Sequence, residues 1–219
     1  MRLRRKIIAL CITLTLLGST LHASEMAYQE KASEIIMNSL QGQPKHSFLT
    51  RAYKQIFFIP AWMHEKKLSN AAKDLFHHIR NDGTLDKMGK LYQDSLLLKS
   101  MAEEVYANNG TIVQKIDLEF KISQLYEGYT NYAYLGSINW GAFNARIANL
   151  MVNDVNTEWV LHRPDVDALY MLENAVLGGS LAKELEKAVP KGYRYKALQK
   201  ELVKYRELKD AGGWQPVVL

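Results

Sequence analysis

Cysteine is all but missing from this sequence: there is one in 219 residues, Cys11, and it lies inside the first apolar run. If that run is removed, the working protein holds no thiol. Disulfides, Cys-ligated zinc, iron–sulfur clusters and cysteine nucleophiles are then excluded. Proline and glycine are scarce as well, 5 and 13 residues scattered along the chain, so long unbroken helices have room to form. A real excess of positive charge is lacking too. The formal charge is +5, but Arg2, Arg4, Arg5 and Lys6 supply four of those charges, leaving 24 basic against 23 acidic residues. A body at +1 has no electrostatic footprint for nucleic acid. Hydrophobic residues at 47% and charged residues at 23% exclude both a disordered tail and a polytopic membrane protein.

The only long apolar run is Ile7 to Leu17, too short against the ~20 residues that a spanning helix needs. It follows the basic stretch Met1–Lys6 and precedes Leu21-His22-Ala23, a small-residue cleavage site before Ser24. This is the architecture of a secretory signal peptide over residues 1–23, so the protein is expected to be exported, with no stable membrane span after cleavage.

The rest reads as helices from end to end, because apolar residues step by three and four while period-two alternation is nearly absent. Leu68, Ala72, Leu75, Phe76 and Ile79 form one stripe, closed by Asn81-Asp82-Gly83. A second is Met88, Leu91, Leu97, Met101 and Val105. A third is Leu118, Ile122, Leu125, Tyr129 and Tyr132, closed by Gly136. Phe143, Ile147 and Leu150 make a shorter one. Pro164 stands where a first helical turn would begin, with Asp165 and Asp167 near the positive helix end and Val166, Leu169, Leu172 and Val176 following. Gly178-Gly179 stops that helix, Ser180 can cap the next, and Pro190 ends it. Tyr195, Leu198, Leu202 and Tyr205 repeat once more before Gly212-Gly213. Gln41–Ser47 reads as a loop, Pro60 interrupts the apolar segment 57–62, and 153–163 is irregular, with Trp159-Val160-Leu161 a short strand or an extended linker. The expected fold is all-α: a single irregular multi-helix domain of roughly eight to ten helices. Its expected parts are an N-terminal helix and loop over 24–47 and a helical domain over 48–216.

Residues that carry chemistry are mostly wanting. No Gly-x-Ser-x-Gly elbow and no glycine-rich phosphate loop occurs. His64-Glu65 begins like a zinc-protease motif, but Leu68 stands where the second histidine should be. His77 and His78 are adjacent, so on a helix they diverge by about 100° and cannot both face one metal; one is expected packed and one solvated. Glu103-Glu104 and Glu184-Leu185-Glu186 read as solvated helix faces. No cofactor and no metal is expected. Aromatics are the positive signal: Tyr126, Tyr129, Tyr132 and Tyr134 crowd one helix, and Trp62, Trp140, Trp159 and Trp214 sit near the ends of its neighbours. They make either a sugar- or partner-stacking surface or the edges of helix packing, where tyrosine buries its ring and leaves the hydroxyl wet.

Two stretches carry more. Pro190, Tyr195, Leu198, Leu202, Tyr205-Arg206, Leu208 and Gly212-Gly213-Trp214 form one; Asp117-Leu118, Leu125, Tyr132, Leu135-Gly136 and Ile138 form the other. Tyr53, Pro60-Ala61-Trp62 and Asp82-Gly83 fall upstream in matching order. Over about residues 48–216 the sequence resembles the helical scaffold domain of the large periplasmic L,D-transpeptidases, the murein cross-linking enzymes of Gram-negative bacteria. The resemblance implies a part in peptidoglycan cross-linking and cell wall remodelling, and a periplasmic location. It implies as partners murein, a murein-synthesis protein or a separately encoded catalytic domain. In that family the catalytic cysteine lies in a Ser-x-Gly-Cys-x-Arg motif, and these 219 residues contain none. The expectation is a non-catalytic scaffold module, a truncated or split L,D-transpeptidase among its possible forms; the alternatives are a secreted helical interaction module of unrelated role and a cysteine-independent peptidoglycan hydrolase. The motif residues Tyr205, Arg206 and Trp214 are the candidate binding residues. The stripe of the last helix should pack on the other helices, with Trp214 folded back onto the body.

Overall fold

The computed structural model describes residues 23–136, 138–151, 167–190 and 192–214. The proposed signal segment, up to residue 22, and the irregular 153–163 stretch lie outside them. Nine helices occur among the described residues, with no strand or sheet: α1 (23–40), α2 (Phe48–Gln55), α3 (Asn70–Asn81), α4 (Lys90–Ala107), α5 (Ile112–Leu135), α6 (Trp140–Met151), α7 (Ala168–Val176), α8 (Leu181–Ala188) and α9 (Tyr193–Asp210). This is the all-α class that the helical spacing predicts. None of the described helices is long and apolar enough to cross a membrane.

Local chemistry sets where these helices start. The Ser47 and Ser69 hydroxyls accept from Thr50 N and Ala72 N at the heads of α2 and α3, satisfying donors that have no partner within the helix. Thr111 and Gln114 form a reciprocal capping box at α5. Ser180 caps α8 as its position suggests. α7 starts at Ala168, and its cap is Asp167, whose carboxylate accepts from Leu169 N and Tyr170 N; the Pro164 turn read from the sequence lies outside the described residues.

The 24-residue α5 is the axis of the domain, packed most extensively on α4 and also on α2, α3 and α8. Its predicted stripe is inside: Leu118, Ile122, Leu125 and Tyr129 are buried. The α3 stripe is also inside, with Ala72, Leu75, Phe76 and Ile79 buried. In α4 the expected stripe holds in part: Leu91, Met101 and Val105 pack against the core. Leu97 and, just before the helix, Met88 are exposed, while Ser95, Leu98 and Ala102 are the buried residues of the helix. Glu184-Leu185-Glu186 is not a solvated face either. Leu185 and Glu184 are buried, and Glu184 Oε1 accepts from Asn174 Nδ2 and Lys187 Nζ, both at 2.7 Å. Glu103 and Glu104 are exposed, as read.

Between α2 and α3 the chain runs irregularly from 56 to 69, with Phe57 and Phe58 both left-handed at φ 56° and 60°. Its buried part, Pro60-Ala61-Trp62-Met63, is clamped from several sides. Tyr28 of α1 donates to Met63 O (3.1 Å), and Tyr106 of α4 donates to the carbonyls of His64 and Lys67 (both 2.8 Å). Lys115 Nζ donates to Glu65 O and stands over the rings of Tyr28 and Tyr106 at 5.4 and 5.2 Å.

Candidate functional site

A cleft of about 930 Å³ opens between α9 and the bodies of α3, α5 and α8. α5 supplies Tyr129 and Tyr132, three residues apart and so on one face. α3 and the turn after it supply His77, His78, Asn81, Asp82 and Thr84. α8 contributes Glu186, and α9 contributes Tyr195, Leu198, Gln199, Glu201, Leu202 and Tyr205.

The 82–85 turn holds this cleft together. Asp82 Oδ1 accepts from Thr84 N (2.8 Å) and Thr84 Oγ1 (2.6 Å), while Oδ2 accepts from the Tyr129 hydroxyl (3.2 Å). The Tyr132 hydroxyl donates to Thr84 O at 2.6 Å. From the opposite wall, Arg206 Nη1 donates to Gly83 O (2.8 Å) and Leu85 O (2.6 Å). A β-carbon on Gly83 would lie 3.0 Å from Val203 Cγ2, so glycine lets α9 come this close. The two motif fragments Asp82-Gly83 and Tyr205-Arg206 therefore meet in space, across more than a hundred residues.

The three predicted binding residues separate into different positions. Tyr205 lines the cleft. Trp214 lies against it, ring centroids 5.7 Å apart and tilted by 42°. Arg206 is half-buried and engaged with the turn carbonyls. Two expectations need correction here. No residue of α9 is buried: Leu198 is 71% exposed, Tyr205 55% and Leu202 37%. Trp214 is 67% exposed and does not fold into the body. The stripe faces a cleft that it does not fill, because α9 is tethered through Arg206 instead of being seated in the core. The glycine exit holds, with Gly212 and Gly213 at φ 106° and 77°. Trp214→Ala is accordingly expected to leave the melting temperature within about 2 °C of wild type by thermal unfolding, since surface truncations cost little.

Burial, and then the Asp82 carboxylate, hold the Tyr129 and Tyr195 phenols above their ordinary value. Burial lowers His78, against the upward pull of Glu186. His77 is exposed and His78 half-buried, in line with the expected division. Phenols pushed up and an imidazole pushed down supply hydrogen bonds and ring faces, not an activated nucleophile. Among the described residues no group of histidine, cysteine and carboxylate side chains is placed to hold a metal.

A second candidate is Glu119 of α5, which the sequence reading passed over. It is fully buried, and its carboxylate accepts from three successive backbone N–H groups: Ala61 (2.5 Å to Oε1), Trp62 (3.1 Å to Oε2) and Met63 (2.7 Å to Oε2). The Tyr53 hydroxyl lies 2.7 Å from Oε1. Ser123 Oγ accepts from Trp62 Nε1 at 2.8 Å and stands 2.8 Å from the Tyr53 hydroxyl. Burial pushes Glu119 up to about 7, against the opposing pull of Tyr53 and the three N–H donors. A buried acid with such a shift is a site candidate in principle. Here its oxygens already serve the irregular 61–63 segment and it has no exposed surface, so its role is to anchor that segment. No local signal marks it; only the apolar run 57–62, with no helix or sheet to satisfy its donors, implies that some acceptor must exist.

Comparison with known proteins agrees with this architecture. No curated protein and no solved structure matches the chain. A family model described as Scaffold domain matches residues 47–202, which takes in α2 to α8 and the cleft wall of α9 up to Leu202, and stops short of Tyr205, Arg206 and Trp214. With most of its length inside that match, the chain belongs to the Scaffold domain family, consistent with the scaffold domain of L,D-transpeptidases.

Proposed function

We propose that this protein is a non-catalytic scaffold module of an L,D-transpeptidase system, exported to the periplasm and contributing to peptidoglycan cross-linking. The match over residues 47–202 carries the reading. The chemistry is compatible with it. These 219 residues hold no Ser-x-Gly-Cys, and acyl transfer by that family's route requires a thiolate, so the reaction is assigned to a cysteine outside them. The basic Met1–Lys6 stretch followed by an apolar run supports export.

The test has two arms. Incubated with murein tetrapeptide, the purified protein starting at Ser24 should form no acyl adduct by intact-mass spectrometry and exchange no D-amino acid. Cross-linking in intact cells should join it to a murein transpeptidase or its substrate. Transpeptidation by the protein alone would overturn the non-catalytic reading. Cross-links confined to proteins outside murein synthesis would instead favour an interaction module of unrelated role.

A further inference from the structure

We propose that the cleft between α9, α5 and the 82–85 turn is a binding site for an uncharged sugar chain, of the N-acetylated amino-sugar type. It rests on the scaffold reading only for the natural source of that chain, the murein glycan.

Three observations select the ligand. The first is the ring supply. Tyr132 lines one wall, beside the buried Tyr129, and Tyr195 and Tyr205 line the other; aromatic faces suit the apolar C–H faces of a sugar. The two α5 hydroxyls are tied to Asp82 and Thr84, so those rings are fixed in advance. The second is the set of hydrogen-bonding groups left open. Among the described residues, the hydroxyls of Tyr195 and Tyr205 and the Gln199 amide have no hydrogen-bond partner, and all three residues line the cleft.

The third is charge. No lysine or arginine lines the cleft, so nothing there recruits an anion such as phosphate or an acidic stem peptide. Three carboxylates line it instead. Asp82 accepts three hydrogen bonds within the protein, Glu201 pairs with the exposed Lys204 at 2.6 Å, and Glu186 has no hydrogen-bond partner among the described residues. Glu186 is thus an open acceptor for sugar hydroxyls beside the tyrosine rings, and a hydroxyl-rich ligand with apolar faces fits that pairing. Leu198 and Leu202 supply an apolar surface for an acetamido methyl group.

The experiment is calorimetric titration of the protein starting at Ser24 with chitotetraose, cellotetraose and murein tetrapeptide, in low and high salt. Chitotetraose should bind saturably, with an affinity unchanged by salt. Tyr195→Ala and Tyr205→Ala should each weaken it about tenfold, since a lost ring contact is worth roughly that factor. Both positions are on the exposed α9, so the variants should fold; unchanged melting checks this. Tyr193→Ala, on the same helix but outside the cleft lining, should bind as wild type. Cellotetraose binding as tightly as chitotetraose overturns the amino-sugar selection and removes the murein glycan as the source. Absence of saturable sugar binding, preference for the acidic peptide, or equal binding by all variants overturns the site. The two proposals fail separately: sugar binding without cross-links to murein enzymes sinks the scaffold reading alone, and the reverse sinks only the site.

Discussion

Replacing Glu119 by alanine is expected to leave the protein barely folded at 25 °C. The carboxylate is the acceptor for the N–H groups of Ala61, Trp62 and Met63 and for the Tyr53 hydroxyl, all inside the core. A buried donor without a partner costs about 1–3 kcal/mol, so four of them exceed ~4 kcal/mol even if a water enters the space. Against a total stability of about 5–15 kcal/mol that is a large share. Urea unfolding followed by circular dichroism measures it, and a loss under ~1 kcal/mol would mean the 61–63 segment finds other acceptors.

The same residue sets a pH dependence. Its value in the folded protein is raised from 4.5 to about 7. The folded state thus binds the proton more tightly than the unfolded chain. The resulting stabilisation is complete below 4.5 and is lost as pH rises through about 7. Wild type should therefore be more stable at about pH 5 than at about pH 8 by ~2–3 kcal/mol from this group, and Glu119→Gln should lose that difference. A wild-type profile flat over that window would show that the four donors outweigh burial and hold the carboxylate ionised.

Trp62→Ala is the second large effect. The side chain is completely buried, its ring sits 5.4 Å from that of Tyr126, and its indole N–H donates to Ser123. Truncation removes this packing, opens a cavity and costs the Ser123 hydroxyl a donor, for a loss of ~3–5 kcal/mol. In a domain of this size that corresponds to a fall in melting temperature of about 10 °C or more. Trp62→Phe should fall between, because it keeps most of the ring volume and loses only the hydrogen bond. The contrast with Trp214→Ala is the useful control, since the same chemical change at an exposed position should scarcely register. Equal melting of the Trp62 and Trp214 variants would contradict the burial of Trp62.

Much of the helical framework was legible because its signals are local. Ser180 caps α8 and Gly136 closes α5 through groups within four residues of each other. The stripes Leu75–Phe76–Ile79 and Leu118–Ile122–Leu125 go inward because a 3.6-residue period puts them on one face. Where two faces compete, the same logic fails. In α4 the leucines at 96, 97 and 98 offer no unique face, and the neighbour α5 decides that Leu98 goes in while Leu96 and Leu97 stay out. In α9 a good periodic stripe remains exposed, because periodicity reports that a face is apolar and not that anything covers it.

By itself the sequence determined the all-α class, the Ser180 cap and the glycine stops of several helices, the inward faces of α3 and α5 and the resemblance to the transpeptidase scaffold. Each of these follows from spacing, caps and breakers acting over a few residues. Only the tertiary structure decided which polar groups meet. Glu119 reaches three N–H groups 56 to 58 residues away, and Arg206 reaches two carbonyls more than 120 residues away. Neither pairing leaves a periodic trace, because a buried donor needs one acceptor at hydrogen-bond distance and any element of the fold can bring it there. The cleft is of the same kind. Its tyrosines were visible on two separate helices, and it took the Arg206 tether and the missing β-carbon at Gly83 to set them facing one another.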